Sequence, residues 1–279
     1  MQKNHAMIVK ILIVGGLGAL LLTSAVWEGY TDYLDGYVIV FFSAVLASCI
    51  ITACVISLRH LVGLILFGFA IGFVTQAIGM TSDMWCYDHS FMFAAFSWSL
   101  AAITMEGISK IIRFKLKMVM DNPLNVLTIL VIFAVFFITL ALQDQWKYAM
   151  HRPIPRECAE KDESRTQKAQ CFIYQTMPEE GSGEFQDTYE PNVPFWIFYS
   201  ALLAFAIVMQ YGISLTELLS LILAAWIMGG ISEGIGATAN LWHFRTETLP
   251  PLFLVLGGWP LEFLVIRGLA ARMDDAERG

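Results

Sequence analysis

Charged residues are scarce in this chain of 279 residues, since Asp, Glu, Lys and Arg together make up only 15% of it. Hydrophobic residues make up 57%, and the mean hydropathy is +0.63. A soluble domain carries considerably more charge than this. The net charge of −7 also gives no reason to expect a nucleic acid as partner. The composition therefore argues against a soluble protein and predicts a polytopic membrane protein.

The sequence also lacks metal-binding motifs of the Cys-x-x-Cys and His-Glu-x-x-His types, and its five histidines are scattered. We therefore expect no metal, and no motif predicts a cofactor. Cysteine is rare, with five residues in all. Two of them, Cys158 and Cys171, share one long loop with twelve residues between them. This placement predicts a disulfide on an oxidising side of the membrane.

The sequence does contain an internal repeat. Residues 41–87 align without a gap on residues 198–244 at an offset of 157, and 18 of the 47 positions are identical. A four-residue insertion after the second copy raises the offset to 161, so that Trp98 falls on Trp259. Several matched pairs are more than shared apolar composition would produce: Ser57 with Ser214, Gly72 with Gly229, and Trp85 with Trp242. Each half is therefore predicted to be one structural unit.

Eight apolar stretches are long enough to cross a bilayer. They run from Met7 to Val26, Tyr37 to Leu58, Leu61 to Met80, Phe91 to Ile112, Leu124 to Leu142, Val193 to Gly212, Leu215 to Gly236 and Pro250 to Ala271. Four fall in each repeat, residues 1–118 and 119–279, and an even number means that both repeats enter the membrane in the same direction. We expect an all-α membrane protein of eight transmembrane helices, built as two parallel four-helix repeats about a pseudo-twofold axis along the membrane normal.

The lysines and arginines predict the orientation. With the N-terminus inside, ten of them lie in the inner segments and only Arg245 lies in the short outer loops. Both termini are therefore expected in the cytoplasm, with the protein in the cell inner membrane and the acidic loop 143–192 outside. The first helix resembles a signal peptide, because Lys3 and Lys10 precede an apolar core. We expect it to be retained, since cleavage would break the symmetry of four helices per repeat.

Glu262 is the most conspicuous ionisable residue, because it lies deep within the last apolar stretch, two residues after Pro260. A carboxyl group at that depth is costly and should face the interior of the bundle. It could be a functional acid, or it could be structural, through a salt bridge to Arg267 or a hydrogen bond to a neighbouring helix. Glu106 and Arg267 occupy equivalent repeat positions, so we expect a structural ion pair between them that locks the repeats together.

A second group of candidates lies at the outer ends of the helices. Repeat one carries Asp83, Trp85, Tyr87 and Asp88, and repeat two carries Glu233, Trp242 and Phe244. The acids of repeat one have neutral or basic counterparts in repeat two, as an asymmetric site requires. Tryptophan and tyrosine also form the ordinary aromatic belt at a membrane surface. The belt explains the two tryptophans by themselves but does not require the acids.

Short motifs in both halves resemble the integral-membrane lycopene cyclase domain of bacteria and fungi, whose two units carry Trp-x-Tyr-Asp followed by Pro-x-Glu-Glu. The stretch from Trp85 to Asp88 matches the first motif in repeat one, and the stretch from Trp242 to Phe244 matches it in part. The stretch from Pro260 to Glu262 matches most of the second, with Phe263 in place of its last acid. Repeat one has Ser99-Leu100-Ala101-Ala102 at the corresponding place.

The resemblance implies redox-neutral acid chemistry, of the cyclisation or hydration type, on an isoprenoid or carotenoid-like lipid. Glu262 would donate the proton to an alkene, and aromatic rings would stabilise the carbocation. The acids that we expect to act in catalysis are Glu262, Glu233, Asp83 and Asp88. The residues that we expect to bind the substrate are Trp85, Tyr87, Trp242, Phe244 and Trp259.

Two other classes of function fit the same sequence. Parallel repeats around a central carboxyl group also suit a transporter of small solutes, although no pair of helices broken by Gly or Pro recurs at matching positions. The acidic loop 143–192 is the part of the chain least like a repeat, which suits a membrane subunit that docks a protein partner there.

Overall fold

A computed structural model of the chain describes residues 2–27, 36–82, 84–86, 92–115, 122–143, 145–153, 189–210, 213–239, 241, 243–244 and 252–275. The helices are α1 (Gln2–Trp27), α2 (Gly36–Val55), α3 (Leu58–Thr81), α4 (Met92–Lys115), α5 (Asn122–Leu142), α6 (Trp146–Met150), α7 (Val193–Met209), α8 (Leu215–Thr238) and α9 (Trp259–Asp275). A π-helical turn, Leu254–Gly258, leads directly into α9. The short strands are β1 (Trp85–Cys86), β2 (His151–Pro153), β3 (Tyr189–Pro191) and β4 (His243–Phe244).

The protein is an all-α, multi-pass membrane protein, and the strands in its described ranges are short. Within the described ranges, six helical segments are long and apolar enough to cross a membrane. They are His5–Trp27, Gly36–Val55, Leu58–Thr81, Leu124–Leu142, Leu215–Thr238 and Leu254–Asp275. The other two predicted stretches also lie in helices, but α7 has only 17 residues and α4 ends in a charged segment.

Helices α3 and α8 begin and end at residues that are 157 apart, which is the offset of the sequence repeat. The same kind of cap starts both helices. The Ser57 hydroxyl accepts a hydrogen bond from the backbone N–H of His60 at 3.0 Å, and the Ser214 hydroxyl accepts one from Glu217 at 3.2 Å. A serine at this position satisfies a backbone N–H that the first turn leaves unpaired. The two retained serines therefore set the same starting point in both halves.

The centre of the molecule is formed by four helices, α3, α4, α8 and α9. Helix α3 packs against α4 and α9, and α8 packs against the same two helices. Helices α1 and α2 pack on the α4 side of this centre, while α5 and α7 pack on the α9 side. The large, fully buried side chains include Phe136, Tyr199 and Phe263. A side chain placed between the four central helices is consequently shielded from lipid by the outer ones.

We call one end of the bundle the ribbon end, because strands β1 and β4 pair there between the last residues of α3 and α8 and the first residues of α4 and α9. The pairing is antiparallel and matches Cys86 with His243, which are 157 residues apart. Strands β2 and β3 form a second ribbon, in which His151 pairs with Pro191. The side-chain amide of Asn192, directly after β3, donates to the Ser82 hydroxyl at 2.6 Å. The second ribbon is thereby attached to the end of α3.

The predicted outer loop, residues 143–192, therefore has structure at both of its ends, namely α6, β2 and β3. We predicted it only as an insertion between helices. The predicted disulfide partners Cys158 and Cys171 lie outside the described residues, so the bridge stays a prediction. Cys49 and Cys54, which the structure does describe, are free thiols.

The opposite end of the bundle, which we call the ion-pair end, carries a network of charged side chains on all four central helices. Arg267 on α9 makes a short contact with Glu217 on α8, and its Nε lies 3.8 Å from Oε2 of Glu106 on α4. Arg113 contacts the other oxygen of Glu217 at 3.0 Å. Arg267 therefore bridges carboxyl groups on two helices, one of which is the Glu106 expected from the repeat.

Glu106 has two further partners within the same network. Its Oε1 lies 3.5 Å from Nε2 of His60 on α3 and 3.4 Å from Nζ of Lys110, one turn further along α4. The side chain of Glu106 is only 5% exposed, so its charge depends on these neighbours. His60 and Glu217 are equivalent in the repeat, as are Glu106 and Arg267, so the network joins two equivalent pairs in which basic and acidic groups are exchanged.

We expect Arg267→Met to lower the free energy of unfolding by ~3–5 kcal/mol, because it leaves two partly desolvated carboxylates without their shared guanidinium group. Arg113→Met is the matched control. The Arg113 side chain is 47% exposed, and the loss of an exposed ion pair should cost less than ~1 kcal/mol. Denaturation of the purified variants in detergent micelles measures both. Equal losses in the two variants would show that Arg267 does not hold the four helices together.

Candidate functional site

A cavity lies between α2, α3, α4, α8 and α9, and Trp85 is one of its lining residues. Its volume is about 50 Å³. Five aromatic side chains line it: Phe41, Phe42, Trp85, Trp98 and Trp259. It also holds six polar side chains: Thr75, Gln76, Ser97, Ser232, Glu233 and Glu262. This space suffices for a few waters or for the narrow end of a chain molecule. A mainly apolar cavity with a few convergent polar groups is typical of a small-molecule site.

Glu262 lies in the first turn of α9 and is 1% exposed. The hydroxyl of Thr75, on α3, donates a hydrogen bond to its Oε1 at 3.0 Å. Its other oxygen, Oε2, is buried and has no hydrogen-bond partner in the described part of the chain. An unpaired buried carboxyl oxygen is costly. The carboxyl group is thus fixed by one oxygen and leaves the other available to a bound molecule.

The same contact decides between the structural alternatives for Glu262. The partners of Arg267 are Glu217 and Glu106 at the ion-pair end, whereas the partner of Glu262 is a hydroxyl on a neighbouring helix. Among the described residues that line the cavity there is no lysine or arginine. In this part of the chain the Glu262 carboxyl group is therefore surrounded by apolar and neutral side chains and by one other carboxyl group, that of Glu233.

Glu233 on α8 is the second carboxyl group of the cavity and is 6% exposed. The indole N–H of Trp259 donates to its Oε1 at 2.8 Å. Its counterpart in repeat one is Gln76, because 76 plus 157 is 233. Gln76 also accepts from an indole, that of Trp85, at 2.9 Å. Both halves therefore hold a tryptophan by a hydrogen bond at this position, and only the half with Glu233 adds an ionisable group.

Trp98 and Trp259, which are equivalent in the repeat, stack on each other with ring centroids 4.3 Å apart and planes inclined by 22°. Each ring also lies directly on a glycine of the neighbouring helix. A Cβ atom at Gly72 would overlap the Trp98 ring, and one at Gly229 would come within 2.7 Å of Trp259. The retained glycines are therefore required for the close approach that brings the two indoles together.

The π-helical turn Leu254–Gly258 sets the position of Trp259 and Glu262. Pro260 has no N–H, so it cannot donate to the carbonyl of Leu256 four residues earlier. That carbonyl instead accepts from the indole of Trp226, on α8, at 3.1 Å. We predicted one continuous apolar span here, and the helix is distorted because the proline leaves this carbonyl to a side chain. Turns of this kind are frequent at functional sites.

The structure brings together four of the residues that we predicted for the site, namely Glu262, Glu233, Trp85 and Trp259. For Phe244 it describes the backbone, which pairs with Trp85. The remaining four predicted residues lie outside the described residues: Asp83, Tyr87, Asp88 and Trp242. Glu106 and Arg267 lie in the network at the ion-pair end and not in the cavity.

The cavity residues that were not predicted to be part of a site include three with a clear position in the repeat. Thr75 holds Glu262, Trp98 stacks on Trp259, and Ser232 lines the wall. The repeat alignment contained a signal for each of them, because Thr75 and Ser232 are equivalent hydroxyl residues and Trp98 and Trp259 are equivalent tryptophans. A search for polar residues retained within apolar helices would have found all three.

No family model, curated protein or solved structure matches the chain. The function is therefore inferred from the residues of the cavity.

We expect Gly72→Ala to lower the free energy of unfolding by ~1–3 kcal/mol, since the new methyl group overlaps the buried Trp98 ring. Gly16→Ala is the matched control, because no atom lies within 4 Å of the site of its Cβ. There the exchange should be neutral or stabilising, by up to ~1 kcal/mol, because alanine is the better helix former. Thermal unfolding in detergent compares the two. A Gly72→Ala protein as stable as the Gly16→Ala protein would contradict the close packing of Trp98.

Proposed function

We propose that the protein is an integral-membrane enzyme that performs redox-neutral, acid-catalysed chemistry on an isoprenoid-like lipid, of the cyclisation or hydration type. The main support is the convergence of two buried carboxyl groups, Glu262 and Glu233, in an aromatic cavity that no lysine or arginine lines in the described part of the chain. The resemblance to the lycopene cyclase domain, through Trp85 to Asp88 and Pro260 to Glu262, points to the same chemistry.

Glu262 is proposed as the proton donor. A carboxyl group without a cation nearby avoids the cost of a buried charge by holding its proton. Because Thr75 donates to Oε1, that oxygen is the acceptor, and the proton belongs on the unpartnered Oε2. Transfer of this proton to one carbon of an alkene forms a C–H bond from the π electrons. The other alkene carbon is left as a carbocation, and Glu262 becomes a carboxylate.

The remaining groups are proposed to stabilise and quench the cation. The stacked rings of Trp98 and Trp259 offer π electrons to a positive charge in the cavity. A second alkene or a water molecule attacks the cation and forms the new C–C or C–O bond. The proton released in the last step returns to a carboxylate, either Glu262 or Glu233. Glu233 suits the role of base, since the Trp259 indole donates a hydrogen bond to it.

We also propose that all eight long helices cross the membrane as two parallel repeats related by a pseudo-twofold axis. Two pairs of equivalent residues that meet each other support the axis: Cys86 pairs with His243, and Trp98 stacks on Trp259. Residues can meet their own counterparts only at the axis itself. The ion-pair end is proposed to face the cytoplasm, with both termini, in the cell inner membrane, and the loop 143–192 lies on the other side.

We expect Glu262→Gln to lower the activity by at least a factor of about 10², while the protein folds normally. The amide keeps the shape of the side chain and can still accept from Thr75, but it has no acid proton to give. Lipid extracts of cells with and without the wild-type protein, compared by mass spectrometry, identify the product. Cyclisation leaves the mass of the substrate unchanged, and hydration adds one water.

Glu217→Gln is the matched control for this experiment, because it removes a carboxyl group of the ion-pair end and leaves the cavity unchanged. It should retain the product at a level that follows its abundance in the membrane. Identical lipid extracts with and without the wild-type protein would refute the proposed enzymatic activity. Full activity of a folded Glu262→Gln protein would refute the role of Glu262 as the proton donor.

We expect a cysteine introduced near the N-terminus, at Lys3, to react with membrane-impermeant maleimide only after the cells are permeabilised. A cysteine introduced in the acidic loop, at Glu180, should react in intact cells. This contrast follows from the distribution of lysine and arginine between the inner and outer segments. Labelling of the cysteine at residue 3 in intact cells would overturn the proposed topology.

A further inference from the structure

The hydrogen bond between Thr75 and Glu262 joins two positions that both have equivalents in the other half of the chain. Only one of the two polar groups is retained at the equivalent positions. Thr75 corresponds to Ser232, because 75 plus 157 is 232, and Glu262 corresponds to Ala101, because 262 minus 161 is 101. Ser232 and Ala101 both line the same cavity as Thr75 and Glu262. The hydroxyl residue is therefore retained in both halves, whereas the carboxyl group is present in only one.

The correspondence holds in space around the cavity as well as in the sequence. Trp98, three residues before Ala101, stacks on Trp259, three residues before Glu262. Gly72, three residues before Thr75, lies against Trp98, just as Gly229, three residues before Ser232, lies against Trp259. A side chain at residue 101 should consequently point to the same cavity from the side opposite Glu262.

Ala101 is 3% exposed, so a larger side chain at this position would have to occupy the cavity or displace its wall. The cavity is small, at about 50 Å³, and Glu262, whose Oε2 has no hydrogen-bond partner in the described residues, also lines it. A group placed beside Ala101 would share this cavity with Glu262 and Ser232. The small residue at 101 therefore provides the space in which a reacting group can meet the acid.

We propose that the space beside Ala101 and Ser232 is the subsite for the reacting end of the substrate, and that the size of residue 101 determines what enters it. This inference rests on the proposed function for the identity of the acid. The ligand class is an uncharged polyprenyl chain, since no basic residue of the described chain lines the cavity and a diphosphate would enter unpaired. The subsite thus occupies the position at which repeat one lacks its own carboxyl group.

The test is direct binding of tritiated geranylgeraniol, an uncharged C20 polyprenyl alcohol, to the purified full-length protein in detergent. The wild type should bind it saturably, and geranylgeranyl diphosphate should compete at least tenfold more weakly than the unlabelled alcohol. Ala101→Leu should weaken binding at least tenfold, because the added carbons fill the subsite. Ala44→Leu is the matched control, since Ala44 is exposed on α2, and it should bind as the wild type does.

A second variant avoids dependence on how well Ala101→Leu folds. Ala101→Cys adds only a sulfur atom, and the folded protein can then be treated with methyl methanethiosulfonate, which adds a small methylthio group to the thiol. Geranylgeraniol should protect Cys at this position from the reagent, as read by mass spectrometry, while the native Cys54, exposed on α2, should react equally with and without the alcohol.

Each outcome bears on a different part of the proposal. Absence of saturable binding to the wild type, equal binding by Ala101→Leu, or no protection of the introduced thiol would overturn the subsite. Competition by the diphosphate as strong as that by the alcohol would overturn the uncharged ligand. If the binding results are as expected but lipid extracts contain no product, the subsite is supported and the proposed enzymatic activity is refuted. The failure of one proposal can therefore be distinguished from the failure of the other.

Discussion

The close approach of α3 to α4 and of α8 to α9 is the constraint on which the rest of the structure depends. Gly72 and Gly229 allow one large ring to lie on each helix backbone, and the two rings then stack on each other at 4.3 Å. In a membrane, helices gain little from the hydrophobic effect, so close packing at small residues is a main source of association. The stack also forms one wall of the cavity. The contact that joins the two halves is therefore the contact that shapes the site.

The distribution of charge follows from the same bundle. The arginines and lysines of the central helices pair with Glu106 and Glu217 at the ion-pair end. Glu233 and Glu262 lie toward the ribbon end, where they accept hydrogen bonds from the Trp259 indole and the Thr75 hydroxyl. A guanidinium partner favours the charged form of a buried carboxyl group. The proposed function accordingly assigns the chemistry to Glu262 and Glu233, while Glu106 and Glu217 take part in the ion pairs between helices.

Much of the architecture could be predicted from the sequence, because the repeat carries positional information. The offset of 157 matches α3 to α8 at both ends, and the offset of 161 places Arg267 opposite Glu106, where the structure has them 3.8 Å apart. The partner of Glu262 could not be predicted, because a hydrogen bond between distant helices depends on their rotation and not on spacing within either one. The π-helical turn was missed for a similar reason, since Pro260 explains a free carbonyl but only packing brings Trp226 to it.

The two halves share the groups that shape the cavity but differ in the groups that could carry chemistry. The groups that position the cavity are kept in both halves: the glycines under the rings, the stacked indoles, and the hydroxyls of Thr75 and Ser232. The groups that differ are the ones that can ionise or take up space, namely Gln76 against Glu233 and Ala101 against Glu262. A glutamate at residue 101 would add a third carboxyl group to a cavity that Glu233 and Glu262 already line, and it would take up space there. Because residue 101 is alanine, that position stays small, and under the proposed function it is the place where the reacting group meets Glu262.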